Sequence, residues 1–147
     1  MKRKEFETTI DASKEKVWLV LWSDETYPKW TAPFSEGSYA ETDWKEGSKV
    51  LFLGPNGNGM ISRIKTRNEP TYMSIEHLGI IIDGKEDTSS DEVKDWAGAM
   101  ENYTLEEING KTKLTVHVDI AEAYLDSFEK AFLQALQKVK ELSEETS

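Results

Sequence analysis

The sequence predicts an α+β domain in which one long antiparallel sheet of seven strands packs against a long C-terminal helix. Between Ala123 and about Glu144, apolar residues recur at steps of three and four, which places them on one stripe of a helix roughly 30 Å long. Much of the preceding chain alternates polar and apolar residues with the period of two that is typical of half-buried strands. Short turns rich in glycine, proline and asparagine separate these strands, which favours antiparallel neighbours.

The N-terminal part predicts a strand followed by two short helices. Polar and apolar residues alternate from residue 5 to residue 10, so the first strand is expected to end near Ile10. Ser13 is the expected N-cap of the first helix, because its hydroxyl can accept a backbone N–H. A second short helical turn opens at residues 23–25, and Pro28 either breaks it or lies in its first turn.

Six further strands are predicted before the C-terminal helix. Their expected spans are 38–44, 49–53, 60–66, 72–82, 100–107 and 113–120. Asn109 and Gly110 are a strong hairpin signal, because both residues tolerate the positive φ of a type I′ turn. Residues 83–95 are acidic and polar, and we expect them to form a mobile flap or a short exposed helix anchored by Trp96.

The composition favours a single globular domain over residues 1–147. With 37% hydrophobic and 31% charged residues, the chain has neither a disordered nor a membrane composition, and no apolar run long enough for a membrane span. The net charge of -10 disfavours nucleic acid as a partner, because the protein would repel phosphate backbones. The chain has no cysteine, and its first residues do not have the pattern of an export signal, so we expect a cytoplasmic protein.

Several sequence fragments carry a family resemblance. Residues 10–18 read IDASKEKVW and residues 27–30 read YPKW. Together with the order of predicted elements, they resemble the START-like SRPBCC superfamily, which includes plant pathogenesis-related allergens and polyketide cyclases and has the helix-grip fold. Further fragments are GSKV at 47–50, YTLE at 103–106, KLTV at 113–116 and the helical pattern Phe128, Phe132, Leu136. These are most similar to the branch named for the activator of heat-shock-protein ATPase.

The resemblance implies a curved seven-stranded sheet that grips the C-terminal helix. It also implies a cavity between sheet and helix, which binds lipids, hormones, polyketides or other apolar molecules in many members. The eukaryotic activators bind a chaperone through two domains, and this chain has room for one of them.

Strand alternation and the helical stripe predict which side chains line such a cavity. The candidate ligand-binding residues are Trp30, Phe34, Trp44, Met60, Ile64, Met73, His77, Trp96, Tyr103, Phe128 and Phe132. Large aromatic residues line apolar pockets, but they also fill cores, and both interpretations stay open.

Among these candidates, His77 has the side chain with the widest range of possible chemical roles. An imidazole among apolar neighbours can orient a ligand or transfer a proton near neutral pH, but a single internal hydrogen bond would also account for it. His117 is expected to face solvent, and two histidines without acidic partners do not form a metal site. The segment from Asp83 departs from a calcium loop, and the glycines at 54 and 59 lack the lysine of a phosphate loop. No metal and no cofactor are therefore expected.

These observations predict non-catalytic binding of a small apolar or amphipathic molecule between sheet and helix. Two alternatives stay open. One is an interaction module whose acidic surface contacts a chaperone or another protein. The other is a cofactor-free cyclase, dehydratase or hydrolase that uses His77 together with a carboxylate or with Tyr103, which requires a polar neighbour for His77 inside the cavity.

Overall fold

The computed structural model describes residues 2–145, so Met1, Thr146 and Ser147 of the expected domain lie outside the described residues. The strands are β1 (Lys2–Ile10), β2 (Tyr39–Glu41), β3 (Lys49–Leu53), β4 (Gly59–Asn68), β5 (Tyr72–Ile82), β6 (Lys85–Asp87), β7 (Met100–Ile108) and β8 (Lys111–Ile120). The helices are α1 (Lys14–Trp22), α2 (Tyr27–Thr31), α3 (Asp91–Lys94) and α4 (Leu125–Glu144), and a 3-10 turn, Glu122–Tyr124, precedes α4.

The strands form one antiparallel sheet in the order β1-β8-β7-β5-β4-β3-β2, and β6 pairs with β5 off this path. This arrangement confirms the α+β class, with an open antiparallel sheet and a long C-terminal helix. The number of strands differs from the expectation, because the described residues contain eight strands and not seven. The additional strand is β6.

The segment 83–95, expected to be a mobile flap or a short exposed helix, contains the short helix α3 and the additional strand β6. Asp83 and Gly84 have φ values of 53° and 79°, and their tight turn folds β6 back onto β5. The Oγ of Ser90 then caps α3 by accepting the N–H of Val93 at 3.3 Å. The prediction that Trp96 anchors this segment was wrong, because Val93 is fully buried whereas Trp96 is only half-buried.

The predicted strand 38–44 is shorter in the structure and ends at Glu41. Trp44 has a φ of 59°, in the left-handed region that a strand cannot contain. Two side chains stabilise this bend: Thr42 Oγ1 accepts the N–H of Trp44 at 3.2 Å, and Asp43 Oδ1 accepts the N–H of Lys45 at 2.9 Å.

The two N-terminal helices agree with the sequence expectation. Ser13 caps α1, and its Oγ accepts the N–H of Lys16 at 3.2 Å. Pro28 lies in the first turn of α2. Both faces of α1 are buried, because Val17 and Leu21 on one flank and the two tryptophans on the other all belong to the core.

Helix α4 lies against β1 and against α1 and α2. The C-terminal part of its apolar stripe is buried at Phe132, Leu136 and Val139, whereas Phe128 in the first half is 38% exposed. The stripe is therefore sealed at one end and accessible at the other. Among the described residues, no helix has the length and apolar character to span a membrane.

Candidate functional site

The face of the sheet that carries the core is identified by Phe6, whose ring stacks on Phe132 of α4. The strand register extends this inner face across the sheet: Phe6 lies opposite Val116, Val116 opposite Tyr103, and Tyr103 opposite Met73. Glu101 is two residues from Tyr103 on β7, so it lies on the same face.

Four polar side chains on this inner face form a continuous hydrogen-bonded chain, which we refer to as the polar chain. Ser62 Oγ lies 2.7 Å from Nδ1 of His77, and Nε2 of His77 lies 3.1 Å from Oε1 of Glu101. The hydroxyl of Tyr103 donates to Oε2 of Glu101. The structure thus gives His77 two polar neighbours, and both of its ring nitrogens are satisfied within the polar chain.

Three adjacent strands hold the polar chain in place. Ser62 lies on β4 directly opposite His77 on β5, at a register shift between Ile61 and Ser62. On the other edge of β5, the backbone N–H of His77 donates to Ala99 O at 2.9 Å, and the carbonyl of His77 accepts from Gly98 at 2.8 Å. Both backbone groups of His77 are therefore held by residues 98–99, and its imidazole is held between Ser62 on one side and Glu101 on the other.

The charge of the polar chain is set by burial and by its own hydrogen bonds. Burial alone would raise the pKa of Glu101, but the hydrogen bond and charge of His77, together with the Tyr103 hydroxyl, hold that pKa below its ordinary value. Burial, reinforced by the Glu101 charge, raises the pKa of Tyr103 and of Tyr27 well above the ordinary tyrosine value. Near neutral pH the site holds a carboxylate beside two uncharged phenols.

Only one member of the polar chain has substantial access to solvent. The Glu101 side chain is 22% exposed, whereas Ser62 is completely buried. A serine next to a histidine and a carboxylate has the composition of a hydrolase triad, but a buried Oγ cannot reach a substrate. Glu101 is therefore the most accessible member of the polar chain.

Four aromatic side chains surround the polar chain, and we refer to Trp22, Tyr27, Trp44 and Phe52 as the aromatic wall. The Trp22 ring lies 5.0 Å from Tyr103 and 4.9 Å from Trp44, measured between centroids. Phe52 lies 6.3 Å from His77 and 6.1 Å from Tyr27. Trp44 and Phe52 are only partly buried, so this wall reaches the surface.

The other predicted site residues fall into three groups. Trp30, Ile64, Met73 and Phe132 are buried in the core, and Trp30 Nε1 donates to Leu21 O at 3.0 Å. Phe34, Met60 and Phe128 are partly accessible, and the Phe34 ring lies 4.8 Å from Phe132 and 6.1 Å from Phe128. Trp96 lies apart, because within residues 2–145 it pairs with no other aromatic ring.

Sequence reasoning missed Glu101 as a site residue, and it also missed Trp22, Tyr27 and Phe52. The signal for Glu101 was present, because it has the same alternation as Tyr103 and Leu105. His117 has the expected orientation: it is partly exposed and lies 2.7 Å from Glu5. In the part of the chain that the structure describes, no group of three or more potential ligand side chains is placed to hold a metal ion.

Two surface depressions lie along the outer side of α4, away from the polar chain. One has a volume of about 390 Å³ and the other of about 300 Å³. The first is lined by Leu133, Gln134, Gln137, Lys138 and Glu141, and the second by Lys29, Lys138, Glu141, Leu142 and Glu145. Charged and amide side chains dominate both depressions, so neither resembles an apolar ligand site.

Comparison with known proteins places the fold. No protein-family model and no curated protein sequence matches the chain. Protein MLL2253 from Mesorhizobium loti is similar in structure, with a TM-score of 0.75, 12% identity and coverage of 99% of both chains. CalU16 from Micromonospora echinospora has a TM-score of 0.67 and 17% identity, over 97% of this chain and 76% of that chain.

DynU16, a protein of the dynemicin biosynthetic locus, has a TM-score of 0.71 and 10% identity, over 96% of this chain and 46% of that chain. Identities this low show the fold alone. The similarity in fold, together with the sheet order and the position of α4, defines a helix-grip-like α+β protein.

Proposed function

We propose that this protein binds a small apolar or amphipathic molecule on the inner face of the sheet, against the polar chain and the aromatic wall, without catalysis. The observation that carries the proposal is the polar chain enclosed by the aromatic wall. Small-molecule sites are typically apolar surfaces with a few fixed polar groups that orient the ligand. We further propose that residues 1–147 act as one domain of the START-like SRPBCC superfamily, which the similarity in fold supports.

The packing of α4 restricts where a ligand can lie. Phe132 is 3% exposed and lies between Phe6 and Phe34, so the apolar stripe of α4 is closed to a ligand from Phe132 onward. We place the ligand at the partly accessible end of the inner face, with Phe52 as its wall and Glu101 at its floor. We propose Phe34 and Phe128, which are both partly accessible, as the rim through which it would pass.

A neutral fluorescent probe tests this placement. N-phenyl-1-naphthylamine becomes brighter in an apolar site, and we expect saturable binding to the wild-type protein. Phe128→Asp places a charge on the rim and should weaken binding by about ten-fold or more. Leu133→Asp is the matched control, because Leu133 is 59% exposed on the same helix and lines the outer depression. Loss of binding in Leu133→Asp alone would place the site outside the sheet, and absence of binding would refute the proposal.

Acid–base catalysis is a second candidate, because the contact between His77 and Glu101 gives a histidine on the inner face a carboxylate partner. The electrostatics favour binding over catalysis. A general base works best when its pKa lies near the working pH, and the pKa of Glu101 is displaced away from neutrality. Hydrolysis of p-nitrophenyl acetate by the wild type and by His77→Gln tests this point. We expect equal rates of hydrolysis for the two proteins. Hydrolysis that depends on His77 would favour catalysis over binding.

The chaperone-associated interaction module and the cytoplasmic location stay predictions. ATPase stimulation and a salt-sensitive pull-down with a heat-shock chaperone test the first. The absence of both effects would remove it.

A further inference from the structure

The hydrogen atoms of the polar chain are already engaged within it. An ionised carboxylate only accepts hydrogen bonds, so the proton between His77 and Glu101 lies on Nε2 of the imidazole. The single hydroxyl hydrogen of Tyr103 is donated to the other carboxylate oxygen. Nδ1 of His77 faces Ser62 in the buried interior, whichever of the two atoms carries the proton.

The carboxylate of Glu101, in contrast, can accept further hydrogen bonds. Each oxygen of a carboxylate has two lone-pair directions, and each Glu101 oxygen has one hydrogen-bond partner among the described residues. Its side chain is 22% exposed, the largest fraction within the polar chain, so a ligand that reaches the polar chain meets Glu101 first. The floor of the proposed site therefore offers a charged acceptor and no free donor of its own.

Two neighbouring hydrogen-bond donors, Trp22 and Tyr27, do not change the predominance of acceptors at the floor of the site. The indole Nε1 of Trp22 has no hydrogen-bond partner within residues 2–145, but it is fully enclosed and out of reach of a ligand. The hydroxyl of Tyr27 can donate or accept a hydrogen bond, so it does not select the sign of the ligand's charge. An anionic ligand at Glu101 would face the carboxylate charge directly, and a cationic or hydroxyl-bearing ligand would satisfy it.

We infer that the ligand presents a hydrogen-bond donor, a protonated amine or a hydroxyl, to Glu101 while its apolar part lies against Phe52 and Trp44, and that the site rejects carboxylate and phosphate head groups. This inference rests on the proposed function and specifies its ligand class. Aromatic rings beside a carboxylate are also favourable for an ammonium group, because both attract positive charge.

Three amphiphiles with the same alkyl chain separate the head-group preference from apolar binding. Decylamine, decanol and decanoate are titrated below their critical micelle concentrations at about 0.15 M salt, where surface charge is largely screened. Intrinsic tryptophan fluorescence reports binding to the aromatic wall. For the wild type we expect affinity to decrease from decylamine to decanol to decanoate, with at least about ten-fold between the first and the last.

Two variants of equal charge control for general attraction to an acidic protein. Glu101→Gln should weaken decylamine binding by about ten-fold. It should also reduce the difference in affinity between decylamine and decanoate. Glu107→Gln removes the same charge from an exposed position on the same strand and should leave all three affinities unchanged.

The outcomes are distinct. Decanoate binding as tightly as decylamine to the wild type, or decylamine affinity that survives in Glu101→Gln, overturns the inference and leaves the binding function standing. Failure of all three amphiphiles and of N-phenyl-1-naphthylamine overturns the proposed function and this inference together. The comparison of the three amphiphiles in the wild type needs no variant, so it holds even if Glu101→Gln does not fold.

Discussion

Phe132 of α4 stacks on Phe6 of β1, with ring centroids 5.0 Å apart and ring planes inclined by 14°. This pair joins the last element of the chain to the first strand, which lies at one edge of the sheet. It lies where the apolar stripe of α4 becomes buried, so it should contribute more to stability than the exposed residues beside it.

Phe132→Ala is therefore expected to lower the free energy of unfolding by about 3–5 kcal/mol, because it removes buried surface and leaves a cavity. Urea unfolding measures the change. Leu133→Ala, at the next and exposed position, should change stability by less than about 0.5 kcal/mol. Similar losses in both variants would show that α4 is not anchored at Phe132.

Gly79→Ala is expected to destabilise the protein although it adds one methyl group. A Cβ at Gly79 would lie 2.2 Å from Asp87 O and 2.8 Å from Thr88 Cγ2, because the last residue of β6 and the residue after it pack directly against this position. Overpacking of this kind typically costs about 1–3 kcal/mol.

Gly54→Ala is the matched control for that experiment. Its nearest neighbours would lie 3.7 Å from the added Cβ, an ordinary contact distance. We expect nearly unchanged urea unfolding for Gly54→Ala. A tolerated Gly79→Ala would mean that the segment after β6 does not cover β5.

Stability is expected to fall in acid partly through Glu101. Its pKa in the folded state lies below the ordinary value of 4.5. Its ionised form therefore stabilises the fold above that pH, and the contribution is lost as the pH falls through the native pKa. Chemical unfolding at a series of acidic pH values should show a smaller loss for Glu101→Gln than for the wild type. Glu107→Gln should follow the wild type, and parallel curves for all three proteins would contradict the assignment.

Tyrosine ionisation gives a complementary test at high pH. The pKa of Tyr27 and of Tyr103 is raised above the ordinary value of 10.0, chiefly by burial. The stability associated with their neutral forms is complete below that pH and is lost as the pH rises towards the native pKa. In an absorbance titration of the folded protein, two of the five tyrosines should ionise late.

Substitutions assign the two late-ionising groups. Tyr103→Phe should remove part of the late absorbance change, whereas Tyr124→Phe, at a position that is 59% exposed, should leave the late change intact. Early ionisation of all five tyrosines would show that the aromatic wall is open to water.

Local patterns were sufficient to predict the elements that depend on local chemistry. The cap at Ser13, Pro28 in the first turn of α2 and the turn at Asn109 all depend on residues close together in sequence. The same kind of signal at Asp83 and Gly84 was present but overlooked, which is why β6 was missed. Trp44 escaped prediction for a physical reason: side-chain hydrogen bonds hold it in a left-handed conformation that its residue type disfavours.

The candidate site was predictable in part. Alternation places His77 and Tyr103 on one face, but their connection through Glu101 depends on which strands are neighbours. That order comes from long-range pairing, since β5 lies beside β7 and the chain between them forms β6 and α3. The register shift at Ser62, which sets its contact with His77, has no signature in the sequence.

The N–H and the carbonyl of His77 both bond to residues 98–99, and its ring contacts Ser62 of β4. A residue held in this way cannot shift to suit a new ligand, so the floor of the site behaves as a fixed template. Phe34 and Phe128 belong to a loop and to the exposed end of a helix, and they can be exchanged without breaking a strand pair. Evolution or design could therefore retune the shape of the accepted molecule at the rim, while the chemistry demanded of its polar end stays the same.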